Sequence, residues 1–134
     1  MLYRKGMRMD GKPEISLLYD FYKELLNTSQ QQVVELYVND DLSLAEVADI
    51  LSISRQGVRD SLNRAIKKMR DCENRLHLLA DYRTRVTVTT KIMEDVEKIR
   101  GLTDDPGIVS LCDRITDNIN CTIRFMEKED RHGV

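Results

Sequence analysis

Apolar residues return along most of this chain at intervals of three and four, the period of one helix face. Ile15, Leu18, Tyr22, Leu25 and Leu26 predict a first helix over 14–26, with Leu17, Tyr19 and Phe21 widening its apolar side. Thr28 and Ser29 offer an N-cap for a second helix. Its inner face is Val33, Leu36 and Tyr37, and Asn39, Asp40 and Asp41 mark its end. A third helix starts at Ser43, because Ser43 and Glu46 have the spacing at which each side chain satisfies an unpaired amide of the other residue's backbone. Leu44, Val47, Ala48 and Leu51 form its buried side. A turn over Leu51, Ser52 and Ile53 follows, with Ile53 directed inward and Ser54 capping the next helix.

The fourth helix carries Val58, Leu62, Ala65, Met69, Cys72, Leu76 and Leu79 at steps of 4, 3, 4, 3, 4 and 3. Such a heptad seam keeps facing one partner over several turns, so the helix is expected to run to about Ala80. Arg83 interrupts the seam, and Val86 and Met93 would continue it. Ile92, Val96 and Ile99 predict a further helix over 84–100, despite the β-branched cluster Val86 to Thr90. Gly101, Asp104, Asp105, Pro106 and Gly107 are expected to stop that helix and let the chain reverse. In the last segment Ile108, Cys112, Ile115, Ile119, Thr122 and Met126 again repeat at helical steps. The simplest arrangement is an antiparallel hairpin, whose apolar stripe takes its cover from the fourth helix or from a second copy. The fold class is all-α: a helix-turn-helix without a wing, extended by C-terminal helices. The domain reading is a flexible tail over 1–13, a helix-turn-helix domain over 14–80, and a dimerising hairpin over 81–134.

Charge sharpens this picture, because it is unevenly spread. The whole chain of 134 residues has a formal net charge of −2, which by itself is weakly repelled by phosphate. Residues 27–53 hold five acids (Glu35, Asp40, Asp41, Glu46, Asp49) and no lysine or arginine. Residues 54–70 hold six basic residues against Asp60 alone, a local charge of +5. From Val86 onward the balance is −3, so that half is a poor surface for DNA. The tail, with Arg4, Lys5, Arg8 and Lys12 against Asp10, carries +3; it reads as a terminal arm rather than a site.

Two short helices joined by a tight turn, the second of them basic, form the helix-turn-helix signature. With Val58, Leu62, Ala65, Ile66 and Met69 packed inward, Gln56, Gly57, Asp60, Asn63, Arg64 and Lys67 fall on the outer side. Gln56 and Asn63 offer the donor–acceptor pair that matches adenine, Arg64 suits guanine or phosphate, and Asp60 suits the cytosine amino group. Arg55, Arg59, Lys68 and Arg70 flank this face at the height of the phosphates, and Ser54 opens the helix. Charge alone would describe only a solvated helix face, as most charge runs are. The capping box, the short turn and the change of sign between the two helices favour nucleic-acid binding.

Other chemistries find little support. Cys72, Cys112 and Cys121 are odd in number and far apart, and the first two occupy seam positions suited to small apolar groups. His77 and His132 stand near no nucleophile or carboxylate constellation, and Glu94, Asp95 and Glu97 lack ligand spacing. The expectation is therefore no enzyme, no metal and no cofactor. Neither a membrane-spanning run nor a signal peptide is apparent, so a cytoplasmic location is expected.

The segment over 41–70, DLSLAEVADILSISRQGVRDSLNRAIKKMR, resembles the helix-turn-helix of sigma-factor region four. Together with LYDFYKELL at 18–26, ELYVNDDLSL at 35–44 and ENRLHLLADYRTR at 73–85, it resembles the YlxM family more closely, over roughly the first two thirds of the chain. That resemblance implies a sigma-like helix-turn-helix that binds DNA, with Ser54, Arg55 and Gln56 at matching positions. It also implies a bacterial cytosolic location. The resemblance further implies a regulatory link to the signal recognition particle pathway, because genes of that family are commonly found beside those of Ffh and FtsY. An RNA- or protein-binding adaptor of that pathway is the alternative it leaves open.

Overall fold

The computed structural model describes residues 11–131, and side chains over 11–122. Among these residues there are six helices and no strand: α1 (Lys12–Tyr22), α2 (Thr28–Val34), α3 (Leu44–Leu51), α4 (Arg55–Leu76), α5 (Leu78–Leu102) and α6 (Pro106–Arg131). The all-α expectation holds, and no wing accompanies the helix-turn-helix. Contacts divide the chain into two units, the boundary lying between Ala80 and Asp81. Of the flexible tail expected over 1–13, residues 1–10 lie outside the described residues, while Gly11 caps α1 and Lys12 and Pro13 open it, two residues before the expected start at Glu14. The seam position Met126 and His132 likewise fall outside the described residues or side chains.

In the first unit α1 contributes Ile15, Leu18, Tyr19 and Tyr22 to the core, α2 contributes Val33 and Val34, and α3 contributes Val47 and Ala48. Val58, Leu62, Ala65 and Met69 of α4 close it. The first helix ends sooner than expected. After Tyr22 the chain tightens into a 3₁₀ turn, Lys23–Leu25, which turns Leu26 inward and leaves Leu25 exposed. The Gln31 amide donates to the carbonyls of Lys23 (2.7 Å) and Leu26 (3.4 Å), satisfying acceptors that the shortened helix leaves open. The cap of α2 is Asn27 rather than Thr28 or Ser29. Its side chain accepts from the Gln30 amide at 2.8 Å, and the Gln30 side chain accepts from the Asn27 amide at 3.2 Å. This reciprocal pair satisfies both donors, which neither hydroxyl residue could do from inside the helix. Beyond α2 the helix widens into a π turn, Glu35–Asn39, before Asp41 reverses the chain at a positive φ of 53°.

The largest departure from the sequence reading is the end of α4. The helix stops at Leu76 instead of continuing to Ala80, because His77 adopts the left-handed conformation (φ 56°) and α5 begins at Leu78. Leu79 is buried as the heptad predicts, but from the new helix, while Leu76 is 52% exposed. The reason lies in Glu73, a carboxylate only 3% exposed. It accepts hydrogen bonds from the Tyr22 hydroxyl (2.7 Å) and from the backbone amides of Leu79 (2.9 Å) and Ala80 (3.3 Å). The Tyr22 hydroxyl in turn accepts from the Leu78 amide at 3.3 Å. The first three amides of α5, which have no partner within their own helix, thus find acceptors in the core. Burial and the bond to Glu73 push the Tyr22 phenol well above its ordinary pKa.

The second unit comprises the rest of α5 and α6. The predicted start at Thr84 is too late, since α5 begins at Leu78, and the helix runs unbroken through the β-branched cluster as expected. Thr87, Thr89 and Thr90 donate to the carbonyls of Arg83, Arg85 and Val86 at 2.7–2.9 Å, so their hydroxyls are satisfied within the helix. Gly101 lies inside α5, and the stop comes only after Leu102. Asp105 then caps α6, accepting from the Gly107 amide at 2.8 Å, and Pro106 opens the helix without a missing donor. The chain reverses here. Arg100 on α5 pairs with Asp113 and reaches Thr116 on α6, and Val96 and Cys112 are buried.

Candidate nucleic-acid interface

Local chemistry builds the α3–turn–α4 corner residue by residue. The Ser43 hydroxyl accepts from the Glu46 amide at 3.1 Å and starts α3. Only half of the expected box is reciprocal in the usual way, since the Glu46 carboxylate accepts from the Ser43 hydroxyl (3.2 Å) rather than from its amide. Ser52, left-handed at φ 56°, ends α3, and the Ile53 amide closes the turn on the Ala48 carbonyl at 3.1 Å. Ile53 does not tuck inward as expected. It remains 45% exposed beside Gly57, because the serine turn carries it past the edge of the core. Ser54 then caps α4, its hydroxyl accepting from the Gly57 amide at 2.9 Å.

Gly57 has a reason that the sequence did not reveal. A β-carbon there would stand 3.2 Å from the Ser54 hydroxyl oxygen, so the glycine keeps the cap unstrained.

On α4, Val58, Leu62, Ala65 and Met69 are buried. All nine candidate residues, Ser54, Arg55, Gln56, Arg59, Asp60, Asn63, Arg64, Lys67 and Lys68, are exposed. Gln56, Asp60, Asn63 and Lys67 follow one another at steps of 4, 3 and 4 opposite the buried stripe, over about 16 Å of helix. Arg55 and Arg59 border one side, Arg64 and Lys68 the other. Among the described residues, none forms an ion pair with Arg55, Arg59, Arg64, Lys67 or Lys68. Arg70, expected beside the phosphates, is half-buried and already engaged, so it leaves the flanking set. A contact that sequence reasoning missed joins two members of the face: the Gln56 amide donates to the Asp60 carboxylate at 2.8 Å.

Two further facts bound the chemistry. Among the described residues, no group of three or more His, Cys, Asp or Glu is arranged to hold a metal ion. No helix among them is long and apolar enough to cross a membrane.

Comparison with known proteins agrees with this geometry. Residues 9–105 match the family model described as "Putative helix-turn-helix protein, YlxM / p13 like". A UPF0122 protein of Thermoanaerobacter sp. (strain X514) is 37% identical over 105 residues, covering 78% of this chain and 90% of the relative. A UPF0122 protein of Streptococcus pneumoniae (strain Hungary19A-6) is 35% identical over 107 residues, covering 80% of this chain and 97% of the relative. The family match ends at Asp105, the residue that caps α6, so α6 lies outside it. With α1–α5 inside the matched span, and with relatives matched over nearly their whole length, the chain belongs to the UPF0122 family of YlxM-like helix-turn-helix proteins.

Proposed function

We propose that this protein is a non-enzymatic, cytoplasmic regulator that binds duplex DNA by laying α4 in the major groove, in the manner of sigma region four. One observation carries the reading: the exposed, unpaired basic side chains of α4 sit on a helix whose opposite side is locked into the core. A cation with no partner in the protein releases phosphate counterions on binding without first breaking an ion pair. Rigid seating of the helix lowers the ordering cost of docking. Arg55, Arg59, Arg64, Lys67 and Lys68 set affinity, while Gln56 and Asn63 set base choice. Fluorescence anisotropy with mixed-sequence duplex tests this. Binding at low salt should weaken as salt rises, with log Kd changing by about 0.9 per phosphate contacted for each decade of salt. R64A/K67A should lower that slope by about two contacts. Absence of salt-sensitive binding at low ionic strength sinks the proposal.

The regulator acts as a homodimer through residues 81–134. Ile92, Ile99, Ile108, Leu111 and Ile115 are each between 39% and 52% exposed in that unit, apolar side chains that a second copy would cover. A dimer would place two reading helices on half-sites about 34 Å apart or a multiple of that.

An adaptor role in the signal recognition particle pathway is the second reading. The net acidic character from Val86 onward favours it over DNA for that half of the chain. Pull-down with Ffh and its RNA, with R64A/K67A as control, separates the two readings. Capture that survives the double substitution, together with no DNA binding, would establish the adaptor instead.

A further inference from the structure

Asp60 is the single acid among residues 54–70, and it stands in the middle of the face that would meet a polyanion. An exposed carboxylate there opposes phosphate binding unless its charge has another use. The sequence suggests that it accepts from cytosine. The structure gives it a partner within the protein: Gln56, one helical turn earlier, donates to it through Nε2 at 2.8 Å.

The consequence lies in what remains of Gln56. A side-chain amide has two N–H donors and a carbonyl acceptor. With one hydrogen committed to Asp60, the second hydrogen and Oε1 are left over, and this is the pair that adenine takes through N7 and its amino group. Gln56 is the second residue of α4, at the end of a recognition helix that contacts base edges. A free glutamine must freeze several torsions on binding, whereas one held by a neighbouring carboxylate has much of that ordering done in advance.

Resting on the DNA-binding reading above, we propose that Asp60 is a positioning residue: it presets the Gln56 amide for adenine and makes an A·T pair the specified base at the N-terminal end of α4, without contacting a base itself. Its charge is tolerated because it fixes the reader. The rival account is a surface i,i+4 bond that does nothing but support the helix. That account predicts a small change in melting temperature and none in base preference.

The test uses the full chain and a random duplex pool, with wild type, Q56A, D60A, D60N and Q56A/D60A compared at one salt concentration and checked for folding by circular dichroism. Wild type should enrich adenine at one position of the site, and Q56A should abolish that preference alone. D60A should weaken it by about five- to tenfold, part of the discrimination of a good bidentate contact. D60N keeps a carbonyl acceptor for the Gln56 amide and should retain the preference. In the Q56A background, D60A should change nothing more at that position. The proposal is overturned if wild type binds duplex without an adenine preference or if D60A leaves that preference intact. It is equally overturned if D60A instead erases a cytosine preference at a neighbouring pair. Wild type that binds no duplex at all refutes the DNA-binding reading itself, and this inference with it.

Discussion

The two units of this chain treat similar apolar patterns in opposite ways. In the first, Leu18, Val33, Val34, Val47, Val58 and Met69 are fully enclosed, and the charged residues of α4 face outward. In the second, Ile92, Ile99, Leu111 and Ile115 recur at helical spacing just as regularly, yet each keeps more than two fifths of its surface in contact with solvent. Only Val96 and Cys112 are buried among its described side chains. Periodicity says which residues share a face; it does not say that the chain itself will cover that face. Four helices converging on one centre can bury a stripe from every side. A pair of helices has only one neighbour per stripe, so part of each stripe stays uncovered within the unit.

The contrast is most severely tested by core truncation. M69A should lower unfolding stability by about 3–5 kcal/mol, since the side chain is fully enclosed, whereas L102A, at a residue 86% exposed, should stay within about 0.5 kcal/mol. Chemical denaturation followed by circular dichroism measures both. Equal losses would erase the distinction. Next in size is E73A, which strands the Tyr22 hydroxyl and the amides of Leu79 and Ala80 and should cost about 3 kcal/mol. E73Q, which keeps a carbonyl acceptor, should lose less, and a loss as large as that of E73A would show that the acceptor alone does not hold this junction.

L111E sharpens the other side of the comparison. It should leave the first unit folded while converting a dimer to monomers in sedimentation equilibrium; unchanged mass would remove the dimerisation proposal. Smaller is S54A, which removes the cap of α4 and should cost about 1 kcal/mol. The smallest effect near neutrality is that of the buried phenols. Tyr19 and Tyr22 are both raised by burial and by hydrogen bonds to Glu35 and Glu73. Their contribution is therefore complete below the ordinary tyrosine value of 10.0 and is lost as pH rises above it, because the unfolded chain ionises first. Absorbance at 295 nm should show these two phenols ionising only as the first unit unfolds, and Y22F should blunt the alkaline loss of stability.

Much of the helix-turn-helix was legible because its instructions are local. The Ser43 and Ser54 caps each act within three residues, and the buried stripe of α4 follows from helix period alone. The nine candidate residues could be placed outward for the same reason, without knowledge of what covers the inner side. Two of the departures were local contests decided by small differences. Asn27 outcompeted Thr28 and Ser29 because Gln30 completes its box, and Gly101 was absorbed into α5 because Asp105 and Pro106 supply a stronger start three residues beyond Leu102.

What the sequence determined by itself is the helical class, the corner of α3 and α4, and the opposition of a basic outer face to an apolar inner one. These depend on backbone amides and side-chain spacing within a few residues. The end of α4 was decided only in three dimensions. A carboxylate four residues after Met69 continues the buried stripe, and its burial becomes tolerable when Tyr22, 51 residues earlier in the chain, turns its hydroxyl to it. That pairing draws the α5 amides to the same point and breaks the heptad at His77. No local signal can register such a partner, since a buried charge is stabilised by whatever the folded chain brings beside it.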